Sequence, residues 1–180
     1  MFLVNPIIIT DMETQENVEW LKYLDVYQQE LVLVSLSLAN KRDELSNLKD
    51  YSFMVFPMAK AYEGFLKKVF FDLQLINKDT YEGRHFRIGR ALNPDIRPEQ
   101  RDEDWLYDNV AKKFGNETAR QLWDTWLHCR NRVFHYFANA QQFLSFNEAL
   151  ARIFMMKQAI QIVAKQLDIN SEINKVPKTA

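Results

Sequence analysis

The sequence predicts an all-α protein, a bundle of four or five helices with one long basic loop, and two observations carry that expectation. Glycine and proline are scarce, four and five in 180 residues, which leaves little material for a turn-rich β-sandwich. Long stretches also repeat their apolar residues every three or four positions, the period of a helix rather than a strand. Hydrophobic residues make up 47% of the chain and aromatics 13%, enough to build a core and to argue against disorder. At this length a single domain over residues 1–180 is expected.

The elements follow in order. "MFLVNPIIIT" opens an N-terminal arm over residues 1–13; it lacks a basic start and Pro6 interrupts it, so it does not read as a signal peptide. From Thr14 to Asn40, Val18, Leu21, Leu24, Tyr27, Leu31, Val34 and Leu38 mark the apolar stripe of a long amphipathic helix. "KRDELSNLKD" is a polar connection. A second helix is expected from Asp50, as its N-cap, to Ile76, with Pro57 marking a later start or a kink. From Asn77 to Glu103 periodicity fails, and Gly83, Gly89, Pro94 and Pro98 mark a loop. Its length of roughly 25 residues is unusual in a compact domain without a purpose. A short helix from Asp104 to Phe114 stops at Gly115, and Asn116 caps the next, which carries Leu122, Trp123, Trp126 and Leu127 down to Phe137. The last helix spans Asn147 to Leu167, with Ile153, Met156, Ile160 and Val163 on one stripe and a flexible tail over residues 168–180.

Charge and cysteine content narrow the function classes. The formal net charge is −1, so no overall basic field advertises nucleic acid, and any such contact must be local. Cys129 is the only cysteine, so an internal disulfide is excluded and a reducing cytoplasm is the expected location. No Cys/His cluster has zinc spacing, so neither a metal nor a cofactor is expected. No run of about 20 apolar residues is present, and no membrane span is predicted.

Chemistry-bearing residues concentrate in "HCRNRVFHYF", residues 128–137. Asn131 and His135 are four apart and share a helix face, whereas Arg130 and His135 are five apart, about 140° around a straight α-helix. The long arginine stem, a bend near the helix end, or a second copy of the helix would each bring the two together. Chemically the set suits cleavage of an RNA phosphodiester. Histidine moves a proton near neutral pH, arginine holds the phosphate bidentately, and asparagine fixes the imidazole or binds a phosphate oxygen. The alternative is an ordinary amphipathic helix with a structural histidine and solvated arginines.

Two further features accompany it. In "AKAYEGFLKKVFFDL", Glu63 stands among apolar residues beside Gly64, a poor helix former whose presence points to the close approach of another element. Glu63 either joins Arg130 and His135 or pairs with Lys60 or Lys67 on the surface. The loop carries Arg84, Arg87, Arg90, Arg97 and Arg101 against Asp95 and Glu99, with Tyr81, His85 and Phe86 interleaved. It reads either as a phosphate-binding and base-stacking loop or as a solvated one whose arginines are pinned by the acids of "RDEDW".

"RNRVFH" resembles the R-x4–6-H signature of HEPN-domain ribonucleases, with Asn131 as the polar residue that follows the arginine. The "AYEGFLKK" helix and the glycine- and arginine-containing loop after it are similar, more specifically, to the HEPN domain of the RNase LS toxin family. The resemblance covers residues 50–167. It implies a single HEPN-like domain and a metal-independent endoribonuclease that leaves a 2',3'-cyclic phosphate. In it Arg130 and His135 form the catalytic pair, Glu63 is a third member and Asn131 a support. It further implies a homodimer with the motif helix at the interface, an RNA substrate, and a toxin or phage-defence role with an antitoxin partner; the basic loop itself offers Arg84, Arg87, Arg90 and Arg97 as the RNA contacts. The chain departs from the R-x4-H-x-Y branch of the superfamily, since position 137 is Phe137 and the tyrosine is Tyr136. Full RNase LS toxins carry additional N-terminal domains, whereas about fifty residues precede the matching region here, as expected of either a single-domain relative or an excised domain. Against this stands a non-catalytic RNA-binding or protein-interaction module.

Overall fold

The computed structural model describes residues 19–138 and 143–173, and within them every regular element is helical. The arm over residues 1–13, the predicted helix start at 14–18 and residues 174–180 lie outside the described residues. The architecture is an all-α bundle, as the periodicity requires.

The first predicted helix is divided. A 3-10 turn over Glu19–Tyr23 ends before Asp25, whose side chain accepts the Gln28 N–H while the Gln28 side chain accepts the Asp25 N–H. This reciprocal cap starts α1, Val26–Ala39. Its buried face is also displaced from the expected stripe. Gln28, Val32, Ser35 and Ala39 are buried, while Tyr27 and Val34 are exposed. The cause lies in α2, Ser52–Asp72, which runs antiparallel to α1 at close range. Gln28 packs on Gly64, where an added Cβ would stand 2.7 Å from its Nε2. The Ser35 hydroxyl donates to the Met54 carbonyl. Small and polar residues face α2 because larger ones do not fit there.

α2 is the central element. Met54, Met58, Ala61, Tyr62, Phe65, Leu66 and Phe70 are essentially without solvent exposure. Asp50 does not cap it in the usual position; it accepts the Ser52 N–H at 3.1 Å and the Leu144 N–H at 3.0 Å, tying the helix start to a distant loop. Pro57 lies in the second turn without ending the helix. The Tyr62 hydroxyl donates to the Leu122 carbonyl at 3.0 Å, joining α2 to the motif helix.

The expected long loop is packed rather than open. It holds α3, Lys78–Glu82, α4, Ile88–Ala91, and a 3-10 turn over Pro98–Gln100. Ile88, Ala91 and Leu92 are buried, and this single apolar turn is too short to register as periodicity. α5, Tyr107–Phe114, and α6, Asn116–Trp126, meet at Gly115, whose φ of 90° suits glycine. Gly115, not Asn116, takes the cap position of α6. α6 continues through a π turn over Leu127–Asn131 into α7, Arg132–Phe134, so the motif helix ends before Phe137. α8 spans Phe146–Ile173, longer than expected: the start of the supposed tail is helical, and the Tyr23 hydroxyl donates to the Asp168 carboxylate there. α2 packs on α1 and α8, and α6 on α5 and α8. No described helix is long and apolar enough to cross a membrane.

Candidate functional site

Arg130 sits on the row Trp126, Arg130, Phe134 of the motif helix, each four residues from the next. On α2, Phe56, Ala59, Lys60 and Glu63 form the matching row at helical spacing. Where the rows face each other they line a cleft of about 240 Å³, formed by Phe56, Ala59, Lys60, Glu63, Arg130 and Phe134. Phe56 and Phe134 meet edge to face at 5.4 Å and make its apolar wall. Arg130 Nε stands 3.7 Å from Glu63 Oε2, and the Arg130 guanidinium lies over the Trp126 ring at 5.1 Å.

This geometry sets Glu63 against Arg130, not against Lys60 or Lys67, and shows no contact of Glu63 with His135. Lys60 Nζ donates instead to the Tyr27 hydroxyl at 2.9 Å, and Lys67 Nζ to the Gly83 carbonyl at 2.7 Å. Glu63 is therefore the partner of Arg130. At 3.7 Å the pair is an ion contact rather than a tight bidentate bond, and both side chains keep 35–40% of their surface in solvent. Guanidinium donors thus remain open to an incoming phosphate.

Between Arg130 and His135 the backbone departs from the straight helix that would put them about 140° apart, but it does not bring His135 into the cleft. The helix is not a straight α-helix at the motif: the Arg132 N–H reaches the Leu127 carbonyl five residues back. Such π turns recur at functional sites. His135 then leaves the helix with extended backbone, φ −100° and ψ 136°, its N–H held by the Asn131 carbonyl at 3.2 Å. The link shown between Asn131 and His135 is this main-chain bond, which does not depend on the asparagine side chain. The His135 ring is exposed and meets Phe137 edge to face at 6.5 Å, and His135 is not among the residues that line the cleft.

The arginines of the loop divide. Arg90 is pinned, donating to Asp102 and to the Gln100 carbonyl at 2.7 Å each, and Asp102 is the first of the three acids of "RDEDW". Arg90 accordingly holds the Asp102 carboxyl below its ordinary range. Arg101 lies over Trp105 at 3.9 Å. Arg84, Arg87 and Arg97 are exposed. The interleaved aromatics are used internally: Tyr81 stacks on Phe71 at 4.7 Å, and Phe86 meets Phe70 edge-on at 6.4 Å. Trp126, Phe56, Phe134 and Lys60 are site residues that the sequence alone did not single out, although Trp126 and Phe134 lie four residues either side of Arg130 and Lys60 and Phe56 lie three and seven residues before Glu63, all helical spacings.

Comparison with known proteins adds no relative: no family model, no curated protein and no solved structure matches the chain.

Proposed function

We propose that this chain is a HEPN-type endoribonuclease, and the observation that carries the reading is the meeting of Glu63 with Arg130 in a cleft whose wall includes Phe134, the residue before His135. Arg130, with donors to spare, binds the non-bridging oxygens of a phosphodiester and stabilises the charge that grows on them. Glu63 aims Arg130. His135 accepts the proton of the ribose 2'-hydroxyl as its oxygen attacks phosphorus. The bond to the 5'-oxygen breaks, that oxygen takes up a proton, and the products are a 2',3'-cyclic phosphate and a 5'-hydroxyl. No metal is needed for any of these steps.

The surface around His135 supports a homodimer in which a second motif completes the site. Phe137, edge to face with His135, and the neighbouring Tyr136 are exposed by 47% and 79%, an apolar surround that a partner helix covers. The second copy's histidine then supplies the proton to the leaving oxygen. Arg84, Arg87 and Arg97 serve as outlying phosphate contacts. In this reading the protein is a cytoplasmic toxin of a toxin–antitoxin or phage-defence system.

One observation favours a second reading, a protein-interaction module. Val26, Tyr27, Leu33 and Val34 of α1 are exposed beside Phe53 and Phe56 of α2. An antitoxin on this face reconciles the two readings; a non-catalytic partner complex replaces the first.

The deciding experiment incubates wild type, Arg130→Ala and His135→Ala with end-labelled RNA in EDTA. Cleavage to cyclic-phosphate ends, lost in both variants, is expected. Cleavage that survives both substitutions, or that requires added magnesium, overturns the assignment. RNA binding without cutting favours the interaction module. Expression of wild type should be toxic, and His135→Ala should relieve it.

A further inference from the structure

We propose that His128, Arg132 and Arg152 form a second anion site, on the α8 side of the motif helix, that binds a phosphate group. His128 is two residues from Arg130 and so points to the other side of the helix, away from Glu63. Arg132 lies one turn on, its Nη1 at 3.4 Å from His128 Nδ1. Arg152 comes from α8, and its Nε is buried without a hydrogen-bond partner. A buried, unsatisfied guanidinium donor calls for an acceptor. Cys129, whose Sγ touches Met155 Sδ at 4.0 Å, forms the apolar floor between the two helices.

The nearby acids do not supply that acceptor. Asp124, one turn before His128, is held by Arg120 Nε at 3.1 and 3.2 Å. Glu148, one turn before Arg152, accepts the N–H and hydroxyl of Ser145 at 2.8 and 2.7 Å. Among the described residues, neither Arg132 nor Arg152 forms an ion pair. Asp124 and Glu148 thus lie within electrostatic reach of His128 and Arg152 but are engaged by Arg120 and Ser145, and neither forms an ion pair with Arg132 or Arg152. Two planar guanidinium groups and an imidazole N–H match the tetrahedral oxygens of a phosphate.

Electrostatics agree with this placement. Burial, then Arg132 and Arg152, hold the His128 imidazole below its ordinary range, while Asp124 opposes them. A bound phosphate reverses the repulsion and favours the imidazolium. By linkage its affinity rises as pH falls through the His128 range.

The test follows the Cε1–H resonances of the three histidines, His85, His128 and His135, through a pH titration by proton NMR. Inorganic phosphate should raise the His128 midpoint by about one unit. Chloride at equal ionic strength should not. Arg132→Gln, at an exposed position, should weaken phosphate binding about tenfold, and Arg152→Gln should do the same. The shift should persist in His135→Ala, so the site stands or falls apart from the ribonuclease reading. A short oligoribonucleotide, tested in that variant, separates the sources. A His128 shift with the oligonucleotide alone assigns the site to a backbone phosphodiester; a shift with both ligands assigns it to phosphate in general. No shift with either ligand, an equal shift with chloride, or a shift retained in both glutamine variants overturns the proposal.

Discussion

Gly89 of α4 and Trp126 of the motif helix touch so closely that a β-carbon on Gly89 would stand 2.5 Å from Trp126 Nε1. Trp126 is buried and carries Arg130 over its ring. The loop segment therefore sets the floor under the cleft's arginine. Gly89→Ala meets a rigid indole, so overpacking outweighs the gain in helix propensity and should cost about 1–3 kcal/mol. Urea denaturation measures it, and RNA cleavage should fall with it because Arg130 moves.

At Gly64 the neighbour is a flexible amide, and the expected result differs. Gly64→Ala displaces the Gln28 side chain and breaks the bond its Oε1 accepts from the Asp25 N–H, leaving the Gln28 N–H bond to the Asp25 carboxylate in place. A loss of about 1 kcal/mol is expected. In a Gln28→Ala background the clash is gone, and the same substitution should stabilise by about 0.5–1 kcal/mol through helix propensity. A double-mutant cycle reads the change of sign; equal effects in both backgrounds would refute the contact.

The Arg130–Glu63 pair is accessible, so it contributes little to folding. Glu63→Gln and Arg130→Ala should each change stability by less than about 1 kcal/mol. His135→Ala, at an exposed position, should change it by no more than about 0.5 kcal/mol. Cleavage, by contrast, should drop by about 10²–10⁴-fold in His135→Ala. Thermal melts beside rate measurements separate the two effects, and an unfolded His135→Ala would contradict the placement.

Cys129 is buried, and burial pushes its thiol up to about 12. It should resist iodoacetamide at mildly alkaline pH in the native protein and react after denaturation, as mass spectrometry would show. Rapid native modification would mean that the α6–α8 contact is open.

Glu148 is held below the ordinary carboxylate range, first by the Ser145 hydroxyl and then by the Ser145 N–H. A depressed folded pKa contributes stability above the unfolded value, about 4.3, and loses it as pH falls through the folded one. Glu148→Gln should therefore lose less stability than wild type on acidification from about pH 5 to pH 3. Denaturation midpoints across that range test it.

The sequence by itself determined the helical class, the order of the main elements, and the residues that carry polar chemistry. Those follow from period, from the scarcity of breakers, and from local caps such as Gly115, all of which act within a few residues. It also pointed to the close approach at Gly64, since a glycine inside a helix needs a steric reason. Only the tertiary structure decided which face of α1 is buried. Hydrophobicity favoured Tyr27, Leu31, Val34 and Leu38, but close packing on α2 selected Gln28, Val32, Ser35 and Ala39. Likewise, Glu63 had three basic candidates in the sequence, and the fold gave Lys60 to Tyr27, Lys67 to Gly83, and Arg130 to Glu63. Choices of that kind depend on distances between helices, and spacing along one helix does not contain them.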